Sequence, residues 1–317
     1  MGRNFARLMD VTLRDAGKLN GHRWSRDQAV AVVAACAAAG VPAVEVGYFR
    51  PGRQSTDGDT APAASCPPGY LEALRERSGG ARLAVMAGRA DLAPADLARL
   101  GGTGVTSLAM SAEVGRVAVL APYARAAEEA GLRLAVKLMR VRGLPDDAIL
   151  KSAEEAAEYG APVFYIADSY GAMFPEDARR LGRRLREATG AELGLHAHDG
   201  LSLAFANSVA AVEAGFDWID ASLTGLGPDG GNLSLELMVS YLRARATTAI
   251  RLAPLADASA TVLRPWVGDG AAARATARAA DAVIGALDLD PRDRASVGGG
   301  SPAALFALLD ALPSDGQ

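Results

Sequence analysis

The chain has 317 residues, with 33 lysines and arginines against 37 aspartates and glutamates and a formal net charge of −4. Those charges are dispersed, which excludes a basic nucleic-acid stripe and a like-charged tail, and no apolar run is long enough to cross a membrane. Its two cysteines, Cys36 in an alanine-rich stretch and Cys66 in a proline-rich one, make neither a disulfide framework nor a thiolate metal site, so a reducing cytoplasm is expected; the N-terminus shows no apolar secretion core.

Short apolar runs alternate with amphipathic stretches up to residue 245. Strands are predicted at 8–13, 43–48, 82–87, 105–110, 133–139, 163–167, 192–196 and 218–223, most of them nearly continuous in apolar residues, as parallel strands covered on both faces are. Helices are predicted between them at 26–39, 113–130, 146–159, 176–189, 202–214 and 232–244, several stopping at a glycine such as Gly40, Gly131 or Gly160. This alternation predicts an α/β fold, a (β/α)8 TIM barrel over residues 1–245. No Gly-x-Gly-x-x-Gly follows the first strand to support a doubly wound sheet instead. Segment 51–68, rich in Gly, Pro, Ser and Asp, is long for its place and reads as an active-site cover or a mobile loop. Residues 246–317 break the alternation and read as a short C-terminal helical region, with helices at 255–267, 271–287 and 302–312.

A barrel places its chemistry at the carboxyl ends of the strands, so polar residues that end or interrupt the apolar runs are the candidates. The first strand runs into Thr12-Leu13-Arg14-Asp15. The second carries Glu45, the fifth Lys137, and the sixth ends in Asp168-Ser169. The seventh ends in His196-Ala-His198, two of the chain's three histidines, and in a strand residues two apart share a face. Asp15, His196 and His198 make a two-histidine, one-carboxylate set to which Asn232 can add an amide oxygen; such ligands suit Mn²⁺, Mg²⁺, Fe²⁺ or Co²⁺ better than structural zinc. Arg14 and Asp15 face opposite ways unless the strand ends and turns there. Glu45 and Lys137 read either as a buried ion pair or as direct participants, and Asp168 either as a helix cap or as part of the site. Lys137 is also the candidate nucleophile of a Schiff-base aldolase, a reading that leaves the two histidines without a task. The glycine-rich stretch from Gly225 to Gly231, before Asn232, lets backbone amides approach an anion.

Taken in order, Asp10-Val-Thr-Leu-Arg14-Asp15, Val44-Glu45-Val46-Gly47, Asp168-Ser169-Tyr-Gly171, His196-Ala-His198, Ala206-Asn207 and Gly225-Leu-Gly227…Gly231-Asn232 resemble the metal-dependent DRE-TIM lyases and synthases. That family includes 3-hydroxy-3-methylglutaryl-CoA lyase, isopropylmalate and homocitrate synthases and the 4-hydroxy-2-oxovalerate aldolases, and the likeness is greatest to the aldolases. The resemblance implies a divalent metal, Mn²⁺ first with Mg²⁺, Co²⁺ or Zn²⁺ as alternatives, held by Asp15, His196, His198 and Asn232. It implies an aldol reaction between a 2-oxo acid such as pyruvate and an aldehyde, with Arg14 stabilising the enolate and Glu45 orienting Arg14. Lys18 and His22 are the candidates for the general base; Ser169, Asp168, Lys137 and Arg14 are expected to contact substrate. Partners implied are an acylating aldehyde dehydrogenase, docked through pieces near Leu263-Arg264-Pro265 and residues 289–300, and further copies of the chain. The chain departs from the aldolases in carrying Lys18 where they have a histidine, in Asp199-Gly200 after the histidine pair, and in a shortened C-terminal region. A Claisen-type synthase or acyl-CoA lyase of the same family, and a barrel serving only as a scaffold for the dehydrogenase, are the competing readings.

Overall fold

A computed structural model describes residues 6–52, 60–245, 248–263 and Asp290. Strands β1 (Arg7–Asp10), β2 (Ala43–Tyr48), β3 (Arg82–Ala87), β4 (Val105–Ala112), β5 (Arg133–Leu138), β6 (Val163–Asp168), β7 (Glu192–Ala197) and β8 (Trp218–Ala221) pair in chain order into a closed parallel barrel. Around them lie α1 (Arg26–Ala39), α2 (Pro68–Arg77), α3 (Ala121–Glu129), α4 (Asp146–Glu158), α5 (Pro175–Ala188), α6 (Ala204–Glu213), α7 (Leu235–Ala244) and α8 (Ala253–Ala258). The TIM barrel expected from the sequence is the observed fold.

Alternation along each strand divides the core. Leu8, Val44, Val85, Leu108 and Leu195 belong to the layer shared with the helices, while Met9, Ala43, Ala84, Ala109, Ala135 and Tyr165 fill the interior. Gly194 makes room for Tyr165, since a Cβ there would lie 2.4 Å from its ring. At the amino ends of the strands Glu192 pairs with Arg7 (2.9 Å) and Arg133 (3.0 Å) and accepts from the Trp218 indole (2.8 Å), closing that end. The open end is the opposite one, where the strands finish.

Several boundaries differ from expectation. β1 ends at Asp10, and residues 12–15 form a turn held by the Asp10 carboxylate, which accepts from the Thr12 amide (3.1 Å) and hydroxyl (2.7 Å). Thr12 Oγ1 in turn accepts from the Leu223 amide (2.9 Å), tying the end of β1 to that of β8. In segment 51–68, Ala61, Ala63 and Cys66 are buried in the core, so the part after residue 60 is packed structure; residues 53–59 lie outside the described ones. The helix expected from residue 113 begins as a 3-10 turn at Val117, after Gly115 with φ +73°. The helix expected from residue 232 begins at Leu235, with Ser234 as its N-cap accepting from the Leu237 amide. After residue 245, α8 and a π turn (Ser259–Leu263) add Leu255, Ala258, Val262 and Leu263 to the same core, so the packed unit runs on to Leu263. The expected helices at 271–287 and 302–312, and the docking pieces apart from Leu263 and Asp290, lie outside the described residues. No helix among the described residues is long and apolar enough to span a membrane.

Candidate active site

Because β1 stops at Asp10, Arg14 and Asp15 sit on a turn and both side chains reach the mouth. The opposite-face problem of a longer strand does not arise. Asp15, His196 and His198 each offer a ligand atom within 4.8 Å of the others, and all three are buried. The histidines come from β7 and the residue just past its end, with their rings edge to face at 5.0 Å between centroids. Asn232 is bridged to His198 across the loop after β8, and its Nδ2 donates to Asp15 Oδ2 (3.0 Å) and to the Leu226 carbonyl (3.1 Å). That crossing needs glycines, since a Cβ at Gly230 or Gly171 would collide with the backbone at Gly200.

The imidazoles are oriented from behind. His196 Nδ1 lies 3.1 Å from Asp220 Oδ2, and His198 Nδ1 lies 3.2 Å from the Pro228 and Gly231 carbonyls. Acceptors on Nδ1 put the proton there and leave both Nε2 atoms as lone-pair donors, the usual arrangement behind a metal-binding histidine. Burial pushes the His198 pKa down to about 4, so it is neutral near pH 7. The Asn232 Oδ1 is buried without a hydrogen-bond partner. Two imidazole nitrogens, a carboxylate and an unpartnered amide oxygen fit a divalent cation of the Mn²⁺ or Mg²⁺ kind.

Around this cluster runs a chain of buried charges. Arg14 donates to Asp15 through Nη1 and to Glu45 through Nε (2.5 Å), and among the described residues no hydrogen bond occupies its Nη2. Lys137 Nζ donates to Glu45 (3.2 Å) and to Asp220 (2.8 Å) and lies 4.9 Å from the centre of the Tyr165 ring. Against the cost of burial, Arg14 and Lys18 hold the Asp15 carboxyl well below its ordinary range, Arg14 and Lys137 lower Glu45, and Lys137 and His196 lower Asp220. The two readings of Glu45 and Lys137 therefore merge: they are ion-paired, and Lys137 also lines the cavity over the metal cluster.

The two candidates for a base part company here. Lys18 Nζ donates to Asp15 (2.7 Å) and lines the cavity of about 320 Å³ that also holds Arg14, Lys137, His196 and His198. His22 packs on Gly17, where a Cβ would come within 2.3 Å of its ring, and stands edge-on to Tyr48 at 5.2 Å. His22 is not among the residues lining that cavity; Tyr48 is. Asp168 accepts from the amides of Ala172 (2.9 Å) and Met173 (3.0 Å), holding the turn into α5, while Ser169 Oγ accepts from the Arg140 amide (3.0 Å). Sequence reading missed Asp220 and Tyr48. Asp220 carried the same signal that drew attention to Glu45 and Lys137, a charge inside an apolar strand.

His22 makes a testable contribution to stability. Burial lowers its pKa from 6.5 to about 4, so between those values the unfolded chain binds a proton that the folded chain refuses. Stability from this group is complete above pH 6.5 and is lost as pH falls toward 4. His22 has φ +60°, a conformation asparagine tolerates, so His22→Asn should show a smaller drop in Tm between pH 7 and pH 5 than the parent. Equal drops would assign the acid sensitivity elsewhere.

A family model described as HMGL-like matches residues 6–262. The 4-hydroxy-2-oxovalerate aldolase of Chloroflexus aggregans is 31% identical over 268 residues, covering 82% of this chain and 76% of that protein. The oxaloacetate decarboxylase of Mycobacterium tuberculosis is 29% identical over 243 residues, covering 76% and 71%. The crystal structure of the Bacillus subtilis HMG-CoA lyase matches with a TM-score of 0.70 at 19% identity, over 82% of this chain and 93% of that one, a likeness of fold. With a match that runs through every strand of the barrel, the protein belongs to the HMGL-like family and is an enzyme of the aldolase and lyase kind.

Proposed function

We propose that the chain is a divalent-metal-dependent aldolase that cleaves or forms a 4-hydroxy-2-oxo acid, its two halves being a 2-oxo acid such as pyruvate and an aldehyde. The observation that carries this reading is a two-histidine, one-carboxylate cluster sharing a cavity with an arginine whose Nη2 is unengaged among the described residues. Two relatives whose names contain 4-hydroxy-2-oxovalerate and oxaloacetate, both 2-oxo acids, support it. A cation held by Asp15, His196, His198 and Asn232 Oδ1, with Mn²⁺ the first to try, would supply Lewis acidity to the carboxylate and 2-oxo oxygen of the substrate.

The residues do the rest. Arg14, fixed by Glu45 and Asp15, donates from Nη2 to the 2-oxo oxygen, where negative charge grows as the C3–C4 bond breaks. Glu45 is thus a positioning residue, and Lys137 positions Glu45. Lys18 faces the cavity directly and, kept an ammonium by Asp15, which raises its pKa against the cost of burial, is the group placed to give a proton to the 4-oxygen when the C3–C4 bond forms, whereas His22 would act only through Tyr48. The Ser169 hydroxyl accepts from Arg140 and keeps its own hydrogen for a substrate carboxylate. Docking of an acylating dehydrogenase and self-association are further parts of the proposal that lean on the aldolase likeness.

The test assays purified protein with 2-oxo acid and aldehyde pairs, and with 4-hydroxy-2-oxo acids, under Mn²⁺, Mg²⁺ or Co²⁺. Turnover is expected in at least one pair; consumption of an acyl-CoA would move the chain to the synthase branch, and no turnover at all would end the aldolase reading. His196→Ala should bind well under about one equivalent of metal and lose turnover, since one ligand and the hold of Asp220 go together.

A further inference from the structure

The cavity over the metal cluster opens outward into a larger one. The inner space is about 320 Å³ and the outer about 690 Å³, and Lys18, Ser111, Met139 and His198 line both. Three consecutive strands, β3, β4 and β5, are each followed by a loop that brings an arginine to the outer space: Arg89, Arg116 and Arg140. Arg140 is compensated, touching Glu113 and lying 3.7 Å from Asp290. It also holds a left-handed backbone (φ +57°), fixed by the hydrogen bond its backbone N–H donates to Ser169 Oγ, so this part of the rim is built at some conformational cost.

Arg89 and Arg116 differ. Neither side chain has a hydrogen bond or ion pair among the described residues. Of the carboxylates on the outer cavity, Glu113 and Asp290 are committed to Arg140, and the Asp229 charge acts on His198. By contrast, four of the five arginines of α5, Arg179, Arg180, Arg184 and Arg186, are paired with carboxylates. Two uncompensated guanidiniums on one cavity wall are suited to a carboxylate or phosphate, which their planar donor forks match. Met139 and Val119 give that cavity apolar wall suited to a short carbon chain. A two-carbon aldehyde would leave most of the outer space empty and both arginines unused.

We propose that Arg89 and Arg116 form a subsite for an anionic group at the far end of the substrate, so that the aldehyde half carries a terminal carboxylate or phosphate. The inference rests on the aldolase reading for which half of the substrate occupies this cavity. The presence of the anion subsite itself does not.

The test is equilibrium binding, read by calorimetry on the metal-supplemented protein. The probes are 2-oxo acids of matched length with and without a terminal charge: 2-oxohexanedioate, 2-oxohexanoate and a terminally phosphonylated analogue. The charged probes should bind at least about tenfold more tightly than the uncharged one, with the advantage shrinking as salt rises. The double variant Arg89→Gln/Arg116→Gln should bring that ratio within about twofold while leaving 2-oxohexanoate affinity unchanged. A parent ratio near one, or a ratio that survives the double substitution, overturns the proposal. The better of the two charged probes tells carboxylate from phosphate. In parallel, deuterium exchange at C3 of pyruvate, followed by mass spectrometry, tests the aldolase reading without any aldehyde. Loss of exchange with a retained charge preference would sink that reading alone; exchange without preference would sink the subsite alone.

Discussion

Lys137→Met is expected to destabilise the fold by about 3–5 kcal/mol, the cost of leaving buried carboxylates without their cation. At roughly 2–4 °C per kcal/mol for a domain of this size, Tm should fall by roughly 6–20 °C. Lys137 is 2% exposed and stands between Glu45 and Asp220, which are 0% and 2% exposed. Methionine matches the stem and removes only the ammonium. Glu45 then keeps Arg14, and Asp220 keeps the contact with His196 Nδ1. The double variant Lys137→Met/Asp220→Asn separates lost charge balance from lost packing. If the pairing is responsible, the double variant recovers stability relative to Lys137→Met, a coupling visible in a double-mutant cycle. A Tm within about 3 °C of the parent for Lys137→Met would mean that Arg14 alone suffices to neutralise the floor of the site.

This buried chain explains why part of the site was readable in the sequence and part was not. Periodicity and strand-end position identified β2 and β3 to the residue and the other strands to within a few residues, because each is an apolar run bounded by polar punctuation. The same rule brought Arg14, Asp15, Glu45, Lys137, His196, His198 and Asn232 to one mouth. It could not say that Arg14 and Asp15 point the same way. That depends on Asp10 and Thr12 ending β1 early through side-chain bonds that no periodicity encodes. Asp220 is a charge inside the apolar run 218–223, and its role shows only in the fold, where it holds His196 and Lys137 at once. The choice between Lys18 and His22 turns on the 3-10 turn from Ala16 to Asn20, which sends one to the cavity and the other against Gly17 and Tyr48. α2 was missed for a local reason: Pro67-Pro68-Gly69 looks like loop, although proline in the first turn starts a helix well.

Arg14→Lys should reduce kcat by about 10²–10³ with bound metal and Tm little changed, the size of loss seen when a preorganised donor to a developing oxyanion is removed. Arginine can meet three demands at once in one plane: Nε serves Glu45, Nη1 serves Asp15, and Nη2 is left for the substrate oxygen. A lysine ammonium keeps the charge that Glu45 and Asp15 require, so the buried carboxylates stay compensated and the metal ligands stay in place. It cannot span both carboxylates and also reach the cavity, because its three donors radiate from one atom on a flexible stem. The loss should therefore fall on kcat, with KM for the 2-oxo acid changing much less, as expected for an interaction made mainly in the transition state. Arg14→Ala supplies the complement. It opens a hole beside Glu45 and Asp15 that free guanidinium at millimolar concentration can enter, and part of the lost rate should return with guanidinium but not with methylamine. A variant Arg14→Lys that keeps kcat within about tenfold would demote Arg14 to a neutraliser of Asp15 and Glu45 and leave the enolate charge to the bound cation alone.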